Sequence, residues 1–382
     1  MKILLALNSF KGSCSSLEAN NALRKGLAGT LNPDSLTTFP LCDGGDGSVL
    51  ALAHHLHLKP VWITASDALG HELKAPYLFE QESSTAYIEM AAASGLAVLN
   101  GREKNIWISN TMGTGELVQH ALKRKARRVI LMVGGSATND AGLGIMHRLG
   151  IRFLDKKGRV LDPVPANLIQ IHAVDTRMEM EGSRTIEIWT DVTNPFYGPE
   201  GAVEVYGPQK GAGPPIRKKL EKGMIHFARV IHNQFGTDLQ KVKGSGAAGG
   251  IGGGMHGIMG CTIHHGTSRI FELLRFREKV QAHDLVITGE GALDFQSRFG
   301  KLVHGVLKTA GKCGKPVIGL CGSLQMNTAQ NRKMGFSAAF SIVRGPEDLE
   351  TAIKMGKENL EAFGANLAAL IRVVYSSSSR RE

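Results

Sequence analysis

Aromatic residues are scarce, at 6% of 382 residues, with only three Trp and five Tyr. Basic residues come in short groups such as Lys123–Arg128 and Arg217–Lys222, and none forms a long run interleaved with aromatics. Without stacking platforms along a basic stripe, the net charge of +11 excludes nucleic acid as the favoured partner. A diffuse field that draws in polyanionic small substrates fits it better. Cysteine is sparse too. Cys14, Cys42, Cys261, Cys313 and Cys321 form no CxxC pair and no zinc-finger spacing, the usage of reduced thiols in a cytoplasmic protein. No apolar run reaches bilayer-spanning length, and Met1–Phe10 is too short an apolar run for a signal peptide, so no membrane partner is expected.

Glycine, by contrast, is plentiful at 47 residues, clustered in turns without a period. Such clusters suit ligand sites built from backbone, with plain turn chemistry as the other reading. The richest lies at the centre. Val129–Val133 has the look of a strand buried on both faces, and it breaks into Gly134-Gly135-Ser136, then Thr138-Asn139-Asp140, then a helix. Strand, glycine turn, small hydroxyls and helix start form a cradle for an oxyanion. An ordinary turn with Asn139-Asp140 as helix cap is the alternative.

Elsewhere the chain alternates. Lys2–Leu7 reads as a strand ending at Asn8-Ser9, and the turn after it carries Lys11, which suits phosphate contact unless it is simply solvated. Ser15 and Glu18 have capping-box spacing before a helix. After a second strand, Ser35–Leu41, Asp43 and Asp46 flank two glycines. Carboxylates beside permissive backbone hold Mg²⁺ through water, although a helix cap needs one of them. Pro60–Ser66, Lys74–Phe79 and Thr85–Met90 then follow as consecutive strands, which hints at a domain crossing near residue 70. Glu89 is a substrate or structural carboxylate, and Thr111–Glu116 a second anion loop or a cap.

Further on, Asp191–Pro195 closes a strand with both a turn and a site signal, and Gln209 and Lys210 sit on a glycine-bounded loop. Gly244–Gly249 matches a dinucleotide fingerprint, but no buried strand precedes it. A flexible hinge segment is the better reading. From residue 269 the βα alternation returns, carrying Glu290, Asp294 and Lys301. The expected architecture is α/β: a doubly wound parallel-sheet domain, residues 1–70 with 265–375, interrupted by an inserted mixed-sheet α/β domain, 71–264. Residues 376–382 form a polar tail. Ligands of such sheets sit outside the carboxyl ends of strands, which lines up 8–13, 43–48 and 290–294 on one rim.

Nine motifs in order, namely 9–13, 43–47, 88–96, 113–117, 134–140, 191–195, 207–212, 246–250 and 286–291, give the chain its resemblance to the class I glycerate kinases, the bacterial glycerate 2-kinase family, over about residues 1–372. The resemblance implies two α/β domains, one flavodoxin-like, and phosphorylation of D-glycerate by ATP with Mg²⁺, usually to 2-phosphoglycerate. Within it, Asp43, Asp46 and Glu290 or Asp294 would hold Mg²⁺, while Lys11, Lys210 and Lys301 offset phosphate charge. Ser9, Ser13, Gln209 and the Gly134, Gly135, Ser136, Thr138, Asn139, Asp140 loop would contact nucleotide or substrate. Asp191 would accept the hydroxyl proton, with Asp294 its rival. A homodimer is left open. The chain departs from the family at Asn8, usually Asp, and at Ala292, usually Arg, which touches rate or substrate more than fold. A catalytically impaired ligand-binding homologue and a kinase of another small hydroxy acid are the rival readings.

Overall fold

A computed structural model describes residues 1–99, 104–176, 184–294 and 301–378. The chain separates into two compact units, 1–43 with 267–382, and 44–266. The first unit opens with β1 (Ile3–Leu7) and β2 (Leu36–Thr38). The second carries β3 (Val61–Ser66), β4 (Glu72–Glu80), β5 (Thr85–Glu89), β6 (Arg128–Met132), β7 (Arg152–Leu154), β8 (Ala173–Asp175), β9 (Thr185–Thr190) and β10 (Thr262–His265). The chain then returns to the first unit with β11 (Leu285–Leu293), β12 (Val317–Leu324) and β13 (Ala338–Ser341).

The first unit is one parallel sheet in the order β13-β12-β11-β1-β2. Counted within the unit alone this is the 2-1-3-4-5 order of flavodoxin-like sheets, with the insertion between its second and third strands. All five residues of β1 are buried because strands flank it on both edges and helices cover its faces. The predicted capping box is present: Glu18 N–H donates to Ser15 Oγ at 3.2 Å and Ser15 N–H to Glu18 Oε2 at 3.0 Å. The ladder runs on past β2, with Phe39 N–H on the Leu5 carbonyl and Leu41 N–H on that of Leu7. Asp43 therefore emerges at the carboxyl end of the sheet.

The second unit is built on a mixed sheet, β10-β9-β6-β5-β4-β3, in which β4 runs antiparallel to both β3 and β5 and the other pairings are parallel. The expected crossing near residue 70 moves to 43–44, because β3 pairs antiparallel with β4 and belongs to this second sheet. The second changeover, between Gly266 and Thr267, lies beside the expected one at 265. The supposed hinge is neither exposed nor between units. It opens a buried helix, Ala247–Met259, whose glycines let neighbouring backbone approach: a Cβ on Gly254 would meet the Ala141 carbonyl at 2.0 Å. The last helix, Gly356–Ser378, runs into the expected polar tail, and 379–382 lie outside the described residues.

Candidate active site

In the second unit, two glycine loops meet at the carboxyl end of the parallel strands. Gly134, just after β6, donates its N–H to the Gly44 carbonyl at 3.0 Å. A Cβ on Gly134 would lie 2.7 Å from Gly45 Cα, so only glycine lets these backbones touch. Gly135 is exposed, with φ +75°, and no described acceptor pairs with the N–H of Gly135 or Ser136. Both carboxylate oxygens of Asp46 lie 3.1 Å from where a Cβ on Gly135 would stand. A turn with two open N–H groups thus has a carboxylate beside it. A bare anion would be repelled there, whereas an anion carrying a divalent cation would satisfy both.

Several expected site residues turn out to be internal struts. Asp140 is fully buried. Its carboxylate accepts from Thr111 Oγ1 at 2.7 Å and from the N–H groups of Thr111, Gly142 and Gly144 at 2.9, 3.2 and 3.1 Å. Burial pushes its carboxyl upward, against the pull of those hydrogen bonds. Ligand contact by Asp140 gives way to capping two helix starts, Met112–Lys123 and Leu143–Arg148. The Thr111–Glu116 loop is likewise spent inside. Glu116 accepts from Ser66 N–H at 2.7 Å and pairs with Arg148, and a Cβ on Gly113 would meet the Ser66 carbonyl at 1.7 Å. Glu89, 5% exposed, accepts from the N–H groups of Gly47 and Val49 at 2.9 Å each. It therefore fills the start of helix Ser48–Leu56 and fixes the loop that bears Asp46.

Lys210 is 2% exposed, and its Nζ donates to Ser136 Oγ and the Thr138 carbonyl at 2.7 Å each. It lies beneath the turn rather than on its surface, so direct phosphate contact is replaced by contact with the loop. Gln209 is exposed, and its carbonyl accepts from Lys104 Nζ at 3.1 Å. Thr138 and Asn139 are fully buried, and Thr138 Oγ1 and both amide atoms of Asn139 have no hydrogen-bond partner among the described residues. Asp191, at the end of β9, has a side chain only 7% exposed, and its Oδ1 lies 3.1 Å from His265 Nδ1. His265 escaped the sequence reading because β10 is four residues long and begins two residues after a helix-ending glycine, Gly260. The β-branched Thr262-Ile263 was the available signal.

In the first unit, β11 continues through Leu293 where a loop was expected after Thr288. Pairing with β12 extends it, setting Glu290 opposite Cys321 and Ala292 opposite Ser323. Glu290 is half-buried. Burial, then the charges of Asp43 and Asp294, push its carboxyl up to about 7. Three carboxylates thus repel one another at the carboxyl ends of neighbouring strands. The turn after β1 packs against them: Asn8 N–H donates to the Gly289 carbonyl at 2.9 Å, and a Cβ on Gly291 would lie 3.5 Å from the Lys11 nitrogen. Ser9 is half-buried and Lys11 exposed, while Ser13 Oγ donates to the Ile353 carbonyl at 2.5 Å and so holds the turn shut. Lys301 opens helix Lys301–Lys312, and its side chain lies outside what is described. Asp43 and Glu290 belong to this unit and Asp46 to the other. Among the described residues, no three His, Cys, Asp or Glu side chains form a self-sufficient metal cage. The oxygen-only donors fit Mg²⁺ held partly by water and by substrate phosphates, the habit of that ion.

Comparison with known proteins agrees in extent and in kind. A family model described as the glycerate kinase family matches residues 3–372. Glycerate kinase from Bacillus subtilis is 37% identical over 375 residues, 98% of each chain. Glycerate 2-kinase from Escherichia coli is 34% identical over 380 residues, again 98% of each. A crystal structure from Salmonella typhimurium LT2, described as glycerate kinase 2, superposes with a TM-score of 0.82 at 35% identity, covering 98% of this chain and 99% of that one. No helix among the described residues is long and apolar enough to cross a membrane.

Proposed function

The chain belongs to the glycerate kinase family and is a phosphotransferase, and from that premise we propose that it moves the γ-phosphate of ATP to the 2-hydroxyl of D-glycerate with Mg²⁺. The observation that carries this reading is the carboxylate of Asp46 beside the unpaired N–H groups of Gly135 and Ser136, a pairing that suits a metal-bound phosphate. In phosphoryl transfer the protein mainly positions reactants and neutralises charge. Bound Mg²⁺ would supply that neutralisation, and in the second unit Asp46, beside the turn, is the carboxylate that would hold it. Asp43, Glu290 and Asp294 are the first unit's own cation-favouring cluster. The N–H groups of Gly135 and Ser136 would take phosphate oxygens, and in the first unit the exposed Lys11 would offset phosphate charge.

Asp191 is the proton acceptor in this scheme. Its carboxylate takes the proton of the attacking hydroxyl as the new O–P bond forms and the bond to the ADP oxygen breaks. His265 holds that carboxylate from the other side. Asp294, by contrast, shares the crowded negative field of Glu290, which favours cation binding over proton acceptance. The test is a coupled assay with D-glycerate, ATP and Mg²⁺, with the product identified by NMR. Asp191→Asn should lower kcat about 10²–10⁴-fold with KM little changed. A kcat within threefold of the parent would remove Asp191 from the role, and a 3-phosphate product would overturn the assigned hydroxyl.

A further inference from the structure

Nothing in that scheme uses Lys210, yet its placement is unusual for a lysine. Its ammonium is sealed inside the second unit and grips two residues of the anion-accepting loop, Ser136 through its hydroxyl and Thr138 through its carbonyl. The exposed residue of the loop, Gly135, sits directly before the first of these anchors. The loop also keeps buried polar atoms without partners, Thr138 Oγ1 and the Asn139 amide. It is buttressed from behind, where Ala141 N–H donates to the Gly249 carbonyl at 3.0 Å. Both Ala141 and Ala248 there hold left-handed backbone, at φ +53° and +52°. A loop clamped on one side, braced on the other and left with unmet polar groups is preset for a partner that the protein does not supply.

We propose that Lys210 is a proton-linked positioning residue: its clamp on Ser136 and Thr138 presets the Gly134–Ser136 turn, and an anion arriving on that turn draws a proton onto its amine. The proposal rests on the reading of that turn as an anion site. Burial holds Lys210 down to about 7, with the Asp140 carboxylate pulling the other way. Asp140 faces it from the loop after β6. Lys104 lies on the segment packed beside Gly211, and Tyr206, on the preceding helix, gives its hydroxyl to Asn194 Oδ1 at 2.7 Å. Close to neutrality the amine is therefore divided between charged and uncharged forms. A negative guest stabilises the charged form, so binding takes up a proton, and affinity falls by up to about tenfold per pH unit above 7. The guest is either a nucleotide phosphate or the carboxylate of the hydroxy acid, two groups with the same chemistry toward such a turn.

Calorimetric titration of the full chain separates these sources. MgADP and D-glycerate are injected separately, each in two buffers of different protonation enthalpy, at pH 6.5 and pH 8. One of the two should take up about a quarter of a proton at pH 6.5 and more than half at pH 8, and its identity names the anion. Lys210→Met should abolish the uptake and weaken that ligand at least tenfold at pH 6.5, with no pH trend. Lys210→Gln, which keeps a donor but not the charge, should abolish the uptake with a smaller loss of affinity. Absence of uptake with both ligands in the parent, or uptake that persists in either variant, overturns the proposal. The kinase reading fails by a different result: a parent that binds MgADP with proton uptake but phosphorylates no hydroxy acid.

Discussion

Gly134→Ala probes the close approach on which the anion turn depends. The added Cβ would stand 2.7 Å from Gly45 Cα, 2.8 Å from Gly45 N and 3.0 Å from the Gly44 carbonyl. These are backbone atoms, so no rotamer change relieves the clash, and the loops must part by about 0.7 Å to reach ordinary contact. Overpacking of this kind costs about 1–3 kcal/mol, and stretching the hydrogen bond from Gly134 to Gly44 adds about 0.5–1.5 kcal/mol. For a unit of this size that corresponds to a fall in Tm of roughly 4–12 °C. Activity should suffer more than stability, since a displacement of this order between Asp46 and the turn can lower kcat/KM by about 10²-fold. Gly70→Ala is the control. It is left-handed at φ +90° with open space around it, so it should show backbone strain of about 1–2 kcal/mol and unchanged kcat/KM. The assay is kcat/KM for glycerate alongside a thermal melt. A Gly134→Ala enzyme within threefold of the parent and melting within 2 °C of it would refute the close-approach argument.

Glu89→Ala should cost about 3–5 kcal/mol, because it strands the N–H groups of Gly47 and Val49 at a helix start. Urea unfolding of the variant against the parent reads this, and a difference under 1 kcal/mol would contradict it. Lys210→Met should change stability in a pH-dependent way. A lysine held down to about 7 in the fold but titrating near 10.5 when unfolded destabilises the folded state fully below pH 7. That penalty is relieved as pH rises toward 10.5. The stability of the parent should therefore climb relative to the variant by up to about 1.4 kcal/mol per unit between pH 7 and 9, as read by paired melts. Asn8→Asp and Ala292→Arg restore opposite charges at the ends of β1 and β11, so each alone should lower kcat/KM several-fold more than the two together. Additive losses in the double variant would show that the two positions are not a coupled pair.

Most of the fold was legible because its strands are buried in parallel. Ile3–Leu7 and Val129–Met132 are unbroken apolar runs bounded by glycine or polar turns, and the consecutive run at Thr85–Glu89 follows β4 as the pattern said. What the pattern could not supply was partnership. β3 reads as a strand wherever it is placed, and only its antiparallel register with β4, Val61 opposite Tyr77, assigns it to the second sheet. The helix Ala247–Met259 was illegible for a related reason. Glycine is a poor helix former, but here Gly252, Gly253, Gly254 and Gly257 each face atoms within 2.6 Å of a would-be Cβ, so close packing overrides propensity.

For the site, spacing found the residues but could not tell surface from support. Within the single heptapeptide Gly134–Asp140, Gly135 presents exposed backbone, Ser136 and Thr138 are gripped by Lys210, and Asp140 is sealed under four hydrogen bonds. One motif therefore contains a contact face, a clamp and a cap, and these alternate over a few ångströms. That division has a physical cause. The turn anchors through the N–H of Gly134 alone and leaves those of Gly135 and Ser136 open, so the rest of its rigidity has to come from side chains on the buried side. Glu89 plays the same part for the loop of Asp46, holding the start of its helix by a carboxylate from β5. The conspicuous acids and bases of this unit split accordingly: Asp140, Glu89 and Lys210 hold its loops from within, while Asp46 stands beside the open N–H groups of the turn.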